Sequence, residues 1–207
     1  LEEEVAVSHF RLGLIIEELD SSDAAAASYE TALKLQRELC RKEPDSKDRM
    51  RALSRTLNAL GRLATKSGDF DTARQLFDET LSLRESLVRE TVDPQERFEC
   101  DRLLANGWMN IGLLHRNQQE FEQARELIET AQSHRKKTLP VRPTDRAMRR
   151  DLAKGWYNLA NLGVDLEDVG MVRENVAEAI RELSSLLDED PEDLGDRYLL
   201  GVCYRLL

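Results

Sequence analysis

The sequence predicts an all-α fold: a solenoid of antiparallel helix pairs with extended helices. Three observations predict it. Four of the five prolines, Pro44, Pro94, Pro143 and Pro191, are spaced by 50, 49 and 48 residues. A large apolar residue followed by a small one recurs in step with them, at Leu12-Gly13, Leu60-Gly61, Ile111-Gly112 and Leu159-Ala160. Glycine and proline together are 15 of 207 residues, about 7% against an average near 12%, and aromatics are 5%, so the chain has few places to turn. That composition counts against a β-sandwich and for long helices.

The internal repeat decides the architecture. A third series of markers lies twelve residues after each small residue. Ala25-x3-Tyr29, Ala73-x3-Phe77, Ala124-x3-Ile128 and Val172-x3-Val176 each begin an apolar stripe there, continued by Ala32, Thr80, Ala131 and Ala179. Three markers keeping register through four copies divide the chain into units at about 1–43, 44–93, 94–142 and 143–190. Residues 191–207 start a fifth unit or a cap, and the whole of 1–207 forms a single solenoid on this reading.

Each unit reads as two helices. The first is expected to start at its proline, whose missing N–H suits the first helical turn, with Asp93 and Asp190 as N-caps. In the second unit Leu53, Leu57, Leu60, Gly61 and Ala64 share one face at helical period. The turn falls at Ser67-Gly68-Asp69, and a second helix runs from about Asp71 to Arg89 with Ala73, Leu76, Phe77, Leu81 and Val88 inward. Pro94 to Asn117 is one helix of about 36 Å. Glycine inside a helix is unfavourable by about 1 kcal/mol relative to alanine. Its use in register at 13, 61 and 112 implies that two helices approach most closely there, with the partner's aromatic or branched residue filling the space. Trp108 and Trp156 stand one turn before Gly112 and Ala160, and Tyr204 looks like the same position in a fifth first helix.

On these residues the chain resembles the tetratricopeptide repeat family. Trp108-Met-Asn-Ile111-Gly112-Leu-Leu-His115 with Ala124-x3-Ile128, and Leu57-Asn-Ala-Leu60-Gly61 with Ala73-x3-Phe77, are similar to that repeat, and the first and fourth copies match it more weakly. The period departs from it, at 48–51 residues against 34, which lengthens both helices by roughly two turns each. The resemblance implies right-handed superhelical stacking and a concave face lined by first helices. Extended units of this type resemble repeats in multidomain bacterial proteins, including regions C-terminal to serine/threonine kinase domains. The start at Leu1 rather than Met, and the stop inside an apolar pattern, read as a fragment of a longer protein.

Thirty basic against forty acidic residues give a net charge of −10, which argues against nucleic-acid binding and against anchoring on an anionic membrane. No apolar run approaches the roughly 18 residues of a spanning helix. Three widely spaced cysteines, Cys40, Cys100 and Cys203, cannot form a disulfide framework or a four-ligand zinc site, so a reducing, cytoplasmic setting is expected. His9 and His115 occupy packing positions and His134 reads as solvated. No metal spacing, phosphate loop or activated nucleophile is present, so no catalytic residue, no cofactor and no metal are expected in this chain.

What remains is surface recognition. The first-helix residues pointing away from the packing stripe are Arg55, Asn58, Arg62 and Lys66 in the second copy. The third offers Asn106, Met109, Asn110, Leu113 and Arg116, and the fourth Lys154, Tyr157, Asn158, Asn161 and Asp165. Five cations against one acid invert the sign of the whole chain. Asparagine amides can pair with an extended peptide backbone, and arginine and lysine with its carboxylates. The expected function is therefore a noncatalytic protein-interaction scaffold taking an acidic peptide segment. The clamp by which chaperone-binding relatives hold a carboxylate tail registers in type only at Asn110 and Lys154, so chaperone-tail binding is not expected. The alternative is self-assembly: Val7, Phe10 and Leu14 at one end, and Tyr198, Leu199, Val202, Leu206 and Leu207 at the other, lack a partner and invite an end-to-end homodimer.

Overall fold

In the computed structural model, residues 1–19 and 21–207 are described, and nine α-helices and no strand are found among them. The chain forms two compact units, Leu1–Val92 and Asp93–Leu207. The first holds α1 (Glu2–Glu18), α2 (Ser22–Lys42), α3 (Lys47–Ser67) and α4 (Phe70–Glu90). The second holds α5 (Pro94–Asn117), α6 (Phe121–Thr138), a 3₁₀ turn (Leu139–Val141), α7 (Arg146–Asp165), α8 (Val169–Glu189) and α9 (Leu194–Tyr204).

Within each unit the strongest packing is between the two helices of a pair: α1 on α2, α3 on α4, α5 on α6 and α7 on α8. A second helix then packs on the next first helix, α2 on α3, α6 on α7 and α8 on α9. The first unit's core joins Ala25 and Tyr29 of α2 to Ala59, Leu60 and Leu63 of α3, with Phe10 against them. In the second unit Ala124, Ile128 and Ala131 of α6 meet Leu159 and Leu162 of α7, and Val176, Ala179 and Leu183 of α8 meet Leu199 and Val202 of α9.

The small residues sit where the pairs close. Gly13, Gly61, Gly112 and Ala160 are all buried. A Cβ on Gly13 would lie 2.5 Å from the Tyr29 ring, and one on Gly61 2.5 Å from the Phe77 ring. At Gly112 it would lie 2.8 Å from Ile128 Cγ1. Each of these partners is the residue sixteen positions on that begins the second helix's apolar stripe.

The pair turns also share one register. Gly68 ends α3 in the left-handed region at φ 83°, with its N–H on the Thr65 carbonyl and the Asp69 N–H on Ala64. Gln119 (φ 62°) and Glu167 (φ 56°), each seven residues after the small residue like Gly68, adopt the same conformation without glycine.

Three expectations are corrected. Only Pro94 begins a helix, with Asp93 accepting from the N–H groups of Gln95 and Glu96. Pro44, Pro143 and Pro191 lie in the turn before their helices, which start three residues later; Asp145 and Asp193 cap two of them by accepting from the Met148 and Asp196 N–H groups, and Ser46 holds the N-cap position of α3 without a side-chain bond. Asp190 therefore ends α8 instead of starting α9. The buried stripe of α4 is Ala73, Phe77, Thr80, Arg84 and Leu87, while Leu81 and Val88 are only half-buried. Arg84 is 1% exposed, and its counterparts at the same repeat position are Gln36, Arg135 and Leu183, all buried. Burial pushes the Arg84 guanidinium down to about 9 and that of Arg135 to about 10, because the charged form loses its water. Finally, Leu199 and Val202 are covered by the core of α7 and α8 and are not open at the chain end.

Candidate functional site

The candidate residues fall on first helices, and each unit presents its own set. In the first unit Arg55, Asn58 and Arg62 recur at helical spacing on α3, which aligns them along one face. Arg55 and Arg62 are exposed and Asn58 is half-buried. Arg62 Nη2 donates to Glu17 Oε2 of α1 at 3.0 Å, and the same carboxylate oxygen accepts the Tyr29 hydroxyl at 2.8 Å. Desolvation and the adjacent Glu17 hold the Tyr29 phenol above its ordinary range.

In the second unit α7 aligns Lys154, Tyr157, Asn158 and Asn161 along one side. Lys154 is exposed and makes no ion pair among the described residues. Asn158 Nδ2 donates to Met109 Sδ of α5 at 3.3 Å, and Asn161 Nδ2 to the Tyr157 carbonyl at 2.9 Å. On α5, Asn110 is half-buried, and the Arg116 guanidinium donates through Nε to Asp165 of α7.

Asn106 is held differently. Its Oδ1 accepts from Arg135 Nη2 of α6 at 2.6 Å, and its Nδ2 faces Asp151 Oδ2 of α7 at 3.4 Å. Asp151 also accepts from Arg102 Nε at 2.7 Å. The amide is therefore spent on the helix packing, since buried Arg135 requires an acceptor. Met109 is 5% exposed and belongs to the core instead of the surface. Leu113 and Tyr157 are half-buried against the core clusters.

The histidines also differ from expectation. His134 is not simply solvated: Nε2 lies 3.0 Å from Asp101 Oδ1, and the ring stands edge-on to Trp108 at 5.2 Å. His115 Nδ1 faces Glu120. Both carboxylates come from outside the ring's own helical spacing, so the sequence pattern alone did not pair them. Among the described residues no three His, Cys, Asp or Glu side chains converge as metal ligands, and no helix is long and apolar enough to cross a membrane. Burial raises the Cys203 thiol to about 11.

One signal would have found the ion pairs. Arg62 and Glu17 are 45 residues apart, Arg116 and Asp165 are 49, and Asn158 and Met109 are 49. These are close to one repeat period, so equivalent positions in consecutive copies are neighbours on adjacent first helices.

Tetratricopeptide repeat models match residues 6–39, 53–89 and 105–136. No curated protein matches the chain. The crystal structure of BtubC (BKLC) from P. vanneervenii is similar with a TM-score of 0.61 at 22% identity, over 89% of this chain. This chain spans 66% of that protein's length. A thermophilic TPR protein of Thermus thermophilus aligns with 96% of this chain and 98% of its own at 19% identity, with a TM-score of 0.43. The repeat matches fall on the helix pairs closed by Gly13, Gly61 and Gly112, and the first of these structures shares the fold. The chain is a tetratricopeptide repeat protein.

Proposed function

We propose that the chain is a noncatalytic protein-interaction scaffold whose first-helix faces take an extended, acidic segment of a partner. The observation that carries this reading is the face of α7. Lys154 stands exposed without an ion pair among the described residues, and Asn158 and Asn161 follow it at helical spacing. A lysine can meet a carboxylate, and the amides can meet a peptide backbone.

The paired cations support the same chemistry. The partners in Arg62–Glu17 are 44% and 27% exposed, and those in Arg116–Asp165 are both 28% exposed. Partly exposed pairs of this kind contribute on the order of 1 kcal/mol, so an incoming carboxylate can exchange with the intrachain one. Asn106, fixed by Arg135 and Asp151, orients α5 and is not a peptide contact on this reading.

Titration of a labelled polyglutamate-rich peptide tests the proposal. Lys154→Glu is expected to weaken binding about tenfold or more by reversing one central charge, and Arg62→Glu to weaken it in the first unit. Unchanged affinity in both variants overturns it.

A second reading, self-assembly, is favoured by one observation. Exposed apolar side chains concentrate on α1, where Leu12 is 45% and Ile15 57% exposed, and on α9, where Tyr198 is 72% exposed. Light scattering over a concentration series separates the two: a dimer insensitive to Lys154→Glu supports assembly.

A further inference from the structure

The second unit carries a groove on the side of its second helices. It is a groove of about 490 Å³ between α6 and α8, floored by Trp156 and Leu159 of α7 and by Met171 of α8. The floor is apolar: Leu159 is 3% and Met171 8% exposed, and Trp156 is half-buried. One face of the indole already carries the Lys136 ammonium, 4.2 Å from the ring centroid. Methionine and tryptophan side by side form a soft surface able to fit a branched or aromatic side chain.

The rim is acidic. Glu129 of α6, Glu174 of α8 and Asp168, which caps α8 by accepting from the Met171 N–H, line the groove, and Glu122 and Glu126 continue the α6 wall along a shallower adjoining surface of about 590 Å³. The rim cation Arg125 is held by Glu129 with Nε 2.9 Å from Oε1, and the Lys136 ammonium sits over the indole beside it. Gly170 leaves the α8 end of the wall without a side chain. Asn175 also lines the groove, its Nδ2 donating to the Met171 carbonyl at 2.8 Å and its Oδ1 left as an acceptor.

These features select one occupant. Five carboxylates against two cations, Arg125 held by Glu129 and Lys136 over the Trp156 ring, leave the groove net acidic, which repels phosphates and anionic lipid. The carboxylates do not converge on a metal among the described residues. Fixed negative charge around an apolar floor matches cations around an apolar side chain. We propose that this groove docks a basic peptide segment of a partner protein, one apolar side chain seated on Trp156, Leu159 and Met171, flanking lysines or arginines on Glu129 and Glu174. The site is separate in position and opposite in sign from the α7 face with Lys154, so its test does not depend on that reading.

Fluorescence anisotropy with a labelled nonapeptide of lysines and arginines around one central leucine tests it. The expected result is saturable binding, weakened about fivefold when serine replaces the leucine and about tenfold or more in the Glu129→Lys/Glu174→Lys variant. Lys154→Glu leaves it unchanged. Both rim carboxylates are exposed, so the double variant keeps the fold; should its melting curve say otherwise, Glu174→Gln alone is expected to weaken binding about twofold. Equal affinity for the leucine and serine probes, insensitivity to the rim variants, or no saturation up to about 1 mM overturns the proposal.

Discussion

Gly61 and Phe77 meet where α3 crosses α4: a Cβ on Gly61 would lie 2.5 Å from Cε1 of the Phe77 ring. The glycine is therefore a packing residue, and its helix penalty is offset by the approach it permits. Gly61→Ala recovers about 1 kcal/mol of helix propensity but forces a buried ring to move, which costs about 1–3 kcal/mol. The expected outcome is a net loss of up to about 2 kcal/mol in a urea melt. Phe77→Leu in the same chain should relieve part of it, giving a coupling between the two sites of about 1 kcal/mol. Strict additivity would show that they do not touch.

Glu167 and Gln119 occupy the left-handed turn position that Gly68 fills in α3. A side chain there is strained by roughly 1–2 kcal/mol, partly offset by the greater freedom glycine has when unfolded. Glu167→Gly and Gln119→Gly are each expected to stabilise the chain by about 0.5–1 kcal/mol. Gly68→Ala should destabilise it by a similar amount. Thermal melts of the three variants decide this.

Asp196 is 0% exposed and accepts from Arg146 and Arg150, which fastens α9 to the start of α7. Removing the carboxylate leaves two guanidinium groups without it. Asp196→Ala is expected to lower stability by about 2–4 kcal/mol, most of it through release of α9. Cys203, buried on the same helix, reports the release. Its thiol should resist alkylation at pH 8 in the native chain and react several-fold faster in the variant.

The same clasp sets an acid limit. The N–H of Asp196, followed by Arg150, holds the Asp193 carboxyl below its ordinary 3.8, and Arg149 does the same for Glu189 below 4.5. A depressed carboxylate contributes its stability above the unfolded value and loses it as pH falls through the folded one. The melting temperature should be flat from about pH 6 to 8 and fall below about pH 4.5. Asp193→Asn should flatten part of that fall, although it also alters the α9 N-cap.

The helix pairs were legible in the sequence because close packing leaves a residue-type trace. Gly13 faces Tyr29, Gly61 faces Phe77 and Gly112 faces Ile128, each sixteen residues on. Other features left no such trace. Pro44, Pro143 and Pro191 share a period with Pro94, yet a proline fits equally well in the turn before a helix, and only Asp145 and Asp193, two residues after Pro143 and Pro191, mark the true caps by their side chains. Arg84 is a charged residue that no apolar pattern marks as inward, but its register with Gln36 and Arg135 puts it inside. The α7 face was found by reading one helix at a time. The carboxylates of Glu17 and Asp165 that meet Arg62 and Arg116 lie on neighbouring helices, one period away, and reduce the expected excess of positive charge. The α6–α8 groove was missed because its floor and walls come from three helices, and no single helix displays it.

Side-chain amide resonances of asparagine test the recognition account most directly. During titration with the acidic peptide, the Asn158 and Asn161 signals on α7 should shift saturably, and the Asn175 signal in the α6–α8 groove should stay still. If the peptide binds and moves only Asn175, or moves none of the three, the first-helix face is not where this scaffold takes its partner.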